Sequence, residues 1–357
     1  MESLLITGGA GFIGANFVRY WHQKYPKHRV VVLDALTYAG NRASLLDLIE
    51  SNAIHFIHGD IRDQALVEQL LRQHDIGWIV NFAAESHVDR SIAGPDAFIE
   101  TNVVGTHALL KAARQVWLVE QGGRPGHRFH HISTDEVFGS LGPGDASFTE
   151  NRPYQPNSPY AASKAASDHL VRAYHHTYGL AVTTSNCSNN YGPYHFPEKL
   201  IPLCICRLLL GQTLPVYGDG RNVRDWLHVE DHCRGIEQVL LLGTAGETYN
   251  IGTHNECDNL TLVQRLCELM DQAFRDDPVL AQQYPACPAA RGEPSTSAIR
   301  FVADRPGHDR RYAIDASKIS EQLGFVPAID FESGLRGTLQ WYLRNRPWWQ
   351  PLLERGL

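Results

Sequence analysis

The tightest constraint on this chain lies at its start. Leu4-Leu-Ile-Thr7 reads as a short buried strand, and Gly8-Gly-Ala-Gly11-Phe-Ile-Gly14 follows it directly, opening a helical pattern that reaches about Tyr25. Val30-Val-Val-Leu33 is a second buried strand that ends in Asp34. Strand, Gly-rich turn, helix, strand and acid form one βαβ unit. Gly8, Gly11 and Gly14 let the backbone turn tightly and approach a pyrophosphate, which would sit at the positive end of the helix. Asp34 would accept hydrogen bonds from an adenosine ribose and would repel a 2′-phosphate, so NAD is expected over NADP. Three spaced glycines arise often by chance; with a strand before, a helix after and an acid ending the next strand, they arise far less often.

The alternation continues. Strands are expected at Ile54–His58, Trp78–Phe82, Phe129–Ser133 and Ala181–Asn186, with helices at about 63–74, 96–116 and 160–178. Asp63 is a plausible N-cap. Strands alternating with helices imply a parallel, doubly wound α/β sheet of Rossmann type. Asp60 follows the third strand and could reach an adenine amino group. Ala83-Ala-Glu-Ser-His-Val-Asp-Arg90 follows the fourth, at the carboxyl edge where open parallel sheets bind ligands. Residues 139–157 form a Gly/Pro-rich loop, a candidate lid. The expected division is a cofactor domain over 1–187, to which about 222–255 returns, and a smaller α/β substrate lobe in the remainder of 188–357. Asp276 to Thr296 reads as an exposed excursion, and Pro347 to Pro351 as a tail packed on the surface.

Ser133-Thr-Asp-Glu136 ends the fifth strand, and Tyr160-Ala-Ala-Ser-Lys164 opens a helix. Four residues apart, Tyr160 and Lys164 share a helix face. A phenol beside an ammonium ion ionises more easily, which makes a base for a sugar hydroxyl. Asp135 and Glu136 could hold opposite protonation states, one acid and one base. With the Thr134 hydroxyl, this set suits an alcohol oxidation coupled to an elimination. Taken alone, a Tyr-x-x-x-Lys is more often an ordinary helix face and Asp-Glu a solvated turn; the Gly-rich unit upstream favours chemistry.

Composition narrows the classes. The chain has 357 residues, 43% hydrophobic and 20% charged, enough for one large α/β domain with a lobe. A net charge of −7 argues against nucleic acid as a partner. No run is long enough to span a membrane, and no basic leader precedes the first strand, so a cytoplasmic location is expected. Seven cysteines without a Cys-x-x-Cys, and 18 histidines without a His-Glu-x-x-His, point to reduced thiols and no metal site. His130-His131 is read as packing.

Together, Thr7-Gly-Gly-Ala-Gly-Phe-Ile-Gly14 and Tyr160-x-x-x-Lys164 resemble the extended short-chain dehydrogenase/reductase superfamily. Ser133-Thr-Asp-Glu-Val137 is similar to its nucleotide-sugar 4,6-dehydratases, since epimerases usually carry small or neutral residues in place of the acid pair. Ala83 to Ser91, Asn186 to Pro193, Glu198 to Pro202, Val223 to Leu227 and Asp304 to Asp309 resemble the branch acting on dTDP-glucose. Phe138 and His228 stand where tyrosines are usual.

The resemblance implies a redox-neutral hydro-lyase that keeps NAD bound and yields a 4-keto-6-deoxy sugar nucleotide. Tyr160 would take the 4-hydroxyl proton, helped by Lys164 and Thr134; Glu136 would remove the C5 proton and Asp135 would protonate the leaving 6-hydroxyl. NAD would be lined by Phe12, Ile13, Asp34, Ala35, Leu36, Thr37, Asp60, Ile61, Ala83, Ala84, Thr101, Tyr160, Lys164 and Asn190, besides the glycines. The sugar nucleotide would be lined by Ser86, Thr134, Asn189, Lys199, Leu200, Pro215, Tyr217, Arg224, Asn259, Asp304, Arg305 and His308. It also implies a homodimer paired through the helices from Asp96 and Tyr160. UDP-glucose 4,6-dehydratase, 4-epimerase and a non-catalytic NAD sensor are the alternatives.

Overall fold

The strands at the centre of the main sheet are apolar on both faces. The structure, a computed structural model, describes residues 2–304 and 307–356. Its strands are β1 Ser3–Thr7, β2 Arg29–Asp34, β3 His55–His58, β4 Trp78–Asn81, β5 Arg128–Thr134, β6 Val182–Cys187, β7 Asn189–Tyr191, β8 Leu214–Tyr217, β9 Val223–His228, β10 Thr248–Ile251, β11 Glu256–Asp258 and β12 Ile299–Val302. Seven of them form one parallel sheet in the order β10-β6-β5-β4-β1-β2-β3. Leu4, Ile6, Val30 and Val32 face one core, while Leu5, Val31 and Leu33 face the other. Continuous apolar runs are what such two-faced burial requires.

Helices Phe12–Lys24, Val229–Leu242 and Ser317–Leu323 cover the first face. Helices Gln64–Gln73, Thr106–Ala113 and Pro159–Tyr178 cover the second. Asp63 caps its helix, its carboxylate accepting from Leu66 N at 3.0 Å. The strand order reverses between β1 and β4, which opens a crevice at their carboxyl ends.

The helix expected over 96–116 runs on to Glu120 and contains two π-helical stretches, Ile99–Gly105 and Arg114–Glu120. The first has a consequence for the site. It aims Asn102 inward, where its amide donates to Glu85 O (2.9 Å) and Ser163 Oγ (2.8 Å) and accepts from Glu85 N (2.9 Å). One side chain thereby pins the loop after β4 to the helix that carries Tyr160.

The second lobe holds the sheets β11-β9-β7 and β12-β8. Its core gathers helices Leu200–Leu209, Asn259–Asp276 and Phe331–Arg344. Three expectations are corrected here. The stretch from Asp276 to Thr296 is no exposed excursion, because Leu280, Tyr284 and Cys287 are buried in that core. The tail forms helix Arg346–Gly356, which sinks Trp349 completely into the lobe and extends Trp348 to Ser44 Oγ (3.1 Å) of the first domain. The loop 139–157 is stitched down, not hinged: Leu141 and Phe148 are buried and donate to Arg311 O and Ala313 O. In each case apolar side chains spaced too irregularly to show a period still find a core.

Candidate active site

The Gly-rich turn shows why it tolerates no side chains. Gly8 has φ +66°, and a Cβ there would lie 2.6 Å from Ala83 N. A Cβ on Gly14 would lie 2.3 Å from Gly8 O, so the helix could not approach the turn. Gly11 caps the helix without a side-chain acceptor, and the first turn carries no acid. Its amides and the helix dipole therefore remain available to an anion. Asp34 is buried at the end of β2 and accepts from Ala10 N and Leu36 N, both at 2.8 Å. Burial raises its pKa, and these two amides oppose the rise. Ala35 O lies 3.2 Å from His58, Leu36 takes φ +51°, and Thr37 bonds Glu85. Asp60 is paired with Arg62 at 2.7 Å, Ile61 is buried under Gly105, and Thr101 lies on the π-helical stretch.

From the turn a cleft of about 1330 Å³, counted to its open mouth, runs along the sheet edge. Gly8, Gly11, Phe12, Ile13, Gly14 and Ala84 line one part of it. Thr134, Asp135, Glu136, Tyr160 and Lys164 line another, and Ser86, Asn189, Asn190, Lys199 and Leu200 line its far side. Residues as distant in the chain as Gly8 and Leu200 thus meet in one space. Lys199, preceding helix Leu200–Leu209, donates to Ser86 O at 3.0 Å, and Asn190 Oδ1 lies 2.9 Å from His232 Nδ1.

The five proposed chemical groups are set by strand β5 and helix Pro159–Tyr178. Thr134 ends β5 and caps the short 3-10 turn Asp135–Phe138 by accepting from Glu136 N (3.3 Å). Ser158 caps the helix by accepting from Ala161 N (3.1 Å), with Pro159 in its first turn. Asp135 is 2% exposed, and its Oδ2 makes no hydrogen bond. Burial first, then Glu136 and Asp225, push its pKa well above the carboxylate range against the pull of Arg224. Asp135 is therefore biased toward its protonated form and has an oxygen without a hydrogen bond.

Tyr160 departs from expectation. Its phenol is buried, and burial, with Glu136 and Cys187, raises its pKa, while a hydrogen bond with Thr134 lowers it. The ammonium expected to ease ionisation is held beneath: Lys164 Nζ donates to Ile132 O at 2.7 Å and lies 3.3 Å from His131 Nε2. The shared helix face sets their neighbourhood, but burial outweighs it.

The remaining sugar-nucleotide candidates lie outside this cleft, in the second lobe. Arg224 is buried, donates to Val223 O and Asp309 O, and stacks 4.2 Å over the Tyr312 ring. Pro215 and Tyr217 are on β8, and Asn259 begins its helix. His308 pairs with Asp304 at 2.6 Å and meets the Tyr217 ring edge-on. Arg305 lies outside the described residues.

The family model described as GDP-mannose 4,6 dehydratase matches residues 5–338. The chain belongs to this 4,6-dehydratase family. A dTDP-glucose 4,6-dehydratase of Xanthomonas campestris pv. campestris (strain B100) is 57% identical, covering 99% of this chain and 97% of its own. One from Neisseria meningitidis serogroup B is 52% identical over 99% of this chain and 97% of its own. Among solved structures, a dTDP-glucose 4,6-dehydratase from Streptomyces venezuelae with NAD bound is 49% identical, covers 98% of this chain and 100% of its own, and gives a TM-score of 0.84. A UDP-glucose 4-epimerase of Thermus thermophilus, in complex with NAD, gives 0.79 at 26% identity, covering 96% of this chain and 99% of its own.

Several residues that line this cleft escaped sequence reasoning. Tyr38, Cys187, His195 and Glu198 line the cleft. His195 stacks on Phe12 with ring centres 4.0 Å apart, closing the second lobe over the Gly-rich turn. Tyr38 takes Arg90 over its ring at 4.2 Å, and Arg90 pairs with Glu198 at 3.3 Å. No spacing signalled these, since each contact joins distant segments. Asp168 had a signal: it lies four residues beyond Lys164 on the same helix face.

Proposed function

We propose that this chain is an NAD-dependent hydro-lyase that converts dTDP-glucose to dTDP-4-keto-6-deoxyglucose and water. The observation that carries the reading is Asp135 beside Glu136 in the cleft, the one buried with its pKa pushed up, the other its partly exposed neighbour. A 4-epimerase has no use for an elimination acid. Identity of 50–57% to dTDP-glucose 4,6-dehydratases over nearly the whole chain supports the same reading.

The residues fit NAD. The bare turn at Gly8, Gly11 and Gly14 would take the pyrophosphate, and Asp34 keeps acceptor capacity for ribose hydroxyls. The chemistry NAD supplies when bound is acceptance of a hydride from C4 and its return to C6. In our reading Tyr160 takes the 4-hydroxyl proton, with Thr134 bonded to the same oxygen and Lys164 supplying the chain's own positive charge. Glu136 then removes the C5 proton, made acidic by the 4-ketone, and in its protonated form gives a proton back to C5 when the hydride returns to C6. Asp135 gives its proton to the 6-hydroxyl so that it departs as water. Each such acid or base contributes ~10²–10⁴-fold. Ser86, Asn189, Lys199, Leu200, Pro215, Tyr217, Arg224, Asn259, Asp304, Arg305 and His308 are proposed to hold the sugar nucleotide. Guanidinium groups suit its phosphates.

A homodimer is part of the proposal. Ile92, Ile99 and Val104 are exposed on the helices that pack beside Pro159–Tyr178, an apolar surface a second copy would cover. A cytoplasmic location accords with seven free cysteines. No helix among the described residues is long and apolar enough to cross a membrane. Incubation with dTDP-glucose and UDP-glucose, followed by mass measurement, tests the reaction: loss of 18 Da, the mass of one water, from dTDP-glucose is expected, and an unchanged mass with inverted C4 overturns it.

A further inference from the structure

Beneath the cleft lies a polar group that the chemistry above does not use. His131 on β5 and Asp168 on helix Pro159–Tyr178 are 0% and 5% exposed. His131 Nε2 lies 3.3 Å from Lys164 Nζ and 3.3 Å from Asp168 Oδ1, so one imidazole nitrogen stands between the ammonium and the carboxylate. The same nitrogen lies 3.2 Å from Ser167 Oγ, and Nδ1 lies 3.2 Å from the Asn81 amide, which holds the ring from both sides. Ser133 Oγ donates to Asp168 Oδ2 at 2.7 Å, and Tyr154 of the segment 139–157 stands near the same carboxylate. Oδ1 makes no hydrogen bond although it is shut off from water.

A buried carboxylate oxygen with no hydrogen bond is costly unless a positive charge faces it. A buried ammonium is equally costly without a negative one. Lys164 is 3% exposed, and among the described residues its only other partner is the neutral Ile132 carbonyl. We propose that His131 and Asp168 are positioning residues for the oxidation step, which hold Lys164 in place and keep it charged beneath Tyr160. This rests on the reaction proposed above.

The surroundings leave Asp168 as the counter-charge. Facing Lys164 are His131 on β5, the Cys187 thiol on β6, and Tyr160 and Asp168 on its own helix; His130 and Tyr154 stand one residue further out. Burial lowers the Lys164 pKa, and Asp168 opposes that before Cys187 does. Burial, with Lys164 second, pushes His131 down to about 4, so the imidazole is neutral and adds no charge of its own. Removing the Asp168 charge lets Lys164 lose its proton at lower pH. The phenolate then loses its support from the alkaline side.

The test measures turnover of dTDP-glucose against pH in the NAD-loaded wild type, Asp168→Asn, Asp168→Glu and His131→Gln. Asp168→Asn should leave KM near wild type, lower kcat and move the alkaline limb down by about one pH unit or more. Asp168→Glu should restore much of both, which a merely structural role for the side chain would not do. His131→Gln keeps every charge of the folded site at neutral pH and should lower kcat through misplaced Lys164; should Asp168→Asn not fold, this variant decides. Unshifted profiles with kcat within twofold of wild type overturn the inference. If the wild type makes no 4-keto-6-deoxy sugar, the reaction itself is wrong, which is a different outcome.

Discussion

At the residue scale, two adjacent carboxyls have unequal surroundings, which suits the acid and base roles proposed for them. Asp135 is buried with an unbonded oxygen, whereas Glu136 is partly exposed. Asp135→Asn keeps size but removes the proton the 6-hydroxyl needs, and Glu136→Gln removes the base for C5. Each should lower turnover ~10²–10⁴-fold while reduced-cofactor absorbance still rises on adding substrate. Tyr160→Phe should abolish that absorbance itself. Near-normal dehydration by either carboxyl variant would show that the roles are misassigned. These residues were legible because a motif four residues long and a pair four residues apart are local facts. Their protonation was not legible: the phenol's pKa is set by burial and by Glu136 and Cys187, and spacing reports neither burial nor a neighbour from β6.

At the scale of elements, the turn after β1 and the C-terminal helix each concentrate a function in few atoms. Gly14→Ala would drive a Cβ to 2.3 Å from Gly8 O, and the helix must back away from the pyrophosphate position. The purified variant should carry far less NAD than wild type, read by extraction and enzymatic assay; equal loading would remove this element from the cofactor site. Trp349 is fully buried in the second lobe. Trp349→Ala should cost about 3–5 kcal/mol of stability, measured by chemical denaturation. A cost under ~1 kcal/mol would mean the tail packs only on the surface.

Over the whole molecule, three buried histidines tie stability to pH. Burial lowers His130 to about 3, His131 to about 4 and His232 to about 3. Their folded pKa values lie below the unfolded value near 6.5, so below that pH the unfolded chain binds more protons. Their stabilisation is complete above about pH 6.5 and is lost as pH falls toward 4, at ~1.4 kcal/mol per pH unit for each group. Asp34, Glu85, Asp135 and Glu198, whose pKa values are raised, work in the opposite direction, while His195 and His228, also lowered by burial, add to the three. The melting temperature should fall by several degrees or more between pH 7.5 and pH 5; an equal or higher value at pH 5 would contradict the balance. Sedimentation at micromolar concentration should show a dimer, and a monomer alone would count against pairing through Ile92, Ile99 and Val104.

The sequence by itself determined the parallel sheet, the turn for the cofactor and the five residues, here proposed for the chemistry, that meet in one cleft. Apolar runs, glycine spacing and helix periodicity act over a few residues, so they can be read locally. Tertiary structure decided what those residues rest on. Asp168, Tyr154 and His131 come from a helix, a loop and a strand and meet only beneath Lys164. Trp348 reaches Ser44 across 304 positions of chain. The Pro-rich stretch after Asp276 enters a core because Leu280, Tyr284 and Cys287 find partners on helices far from it in sequence. Contacts of this kind are set by closure of the whole chain around two cores, and burial then fixes the charge on every group that the closure encloses.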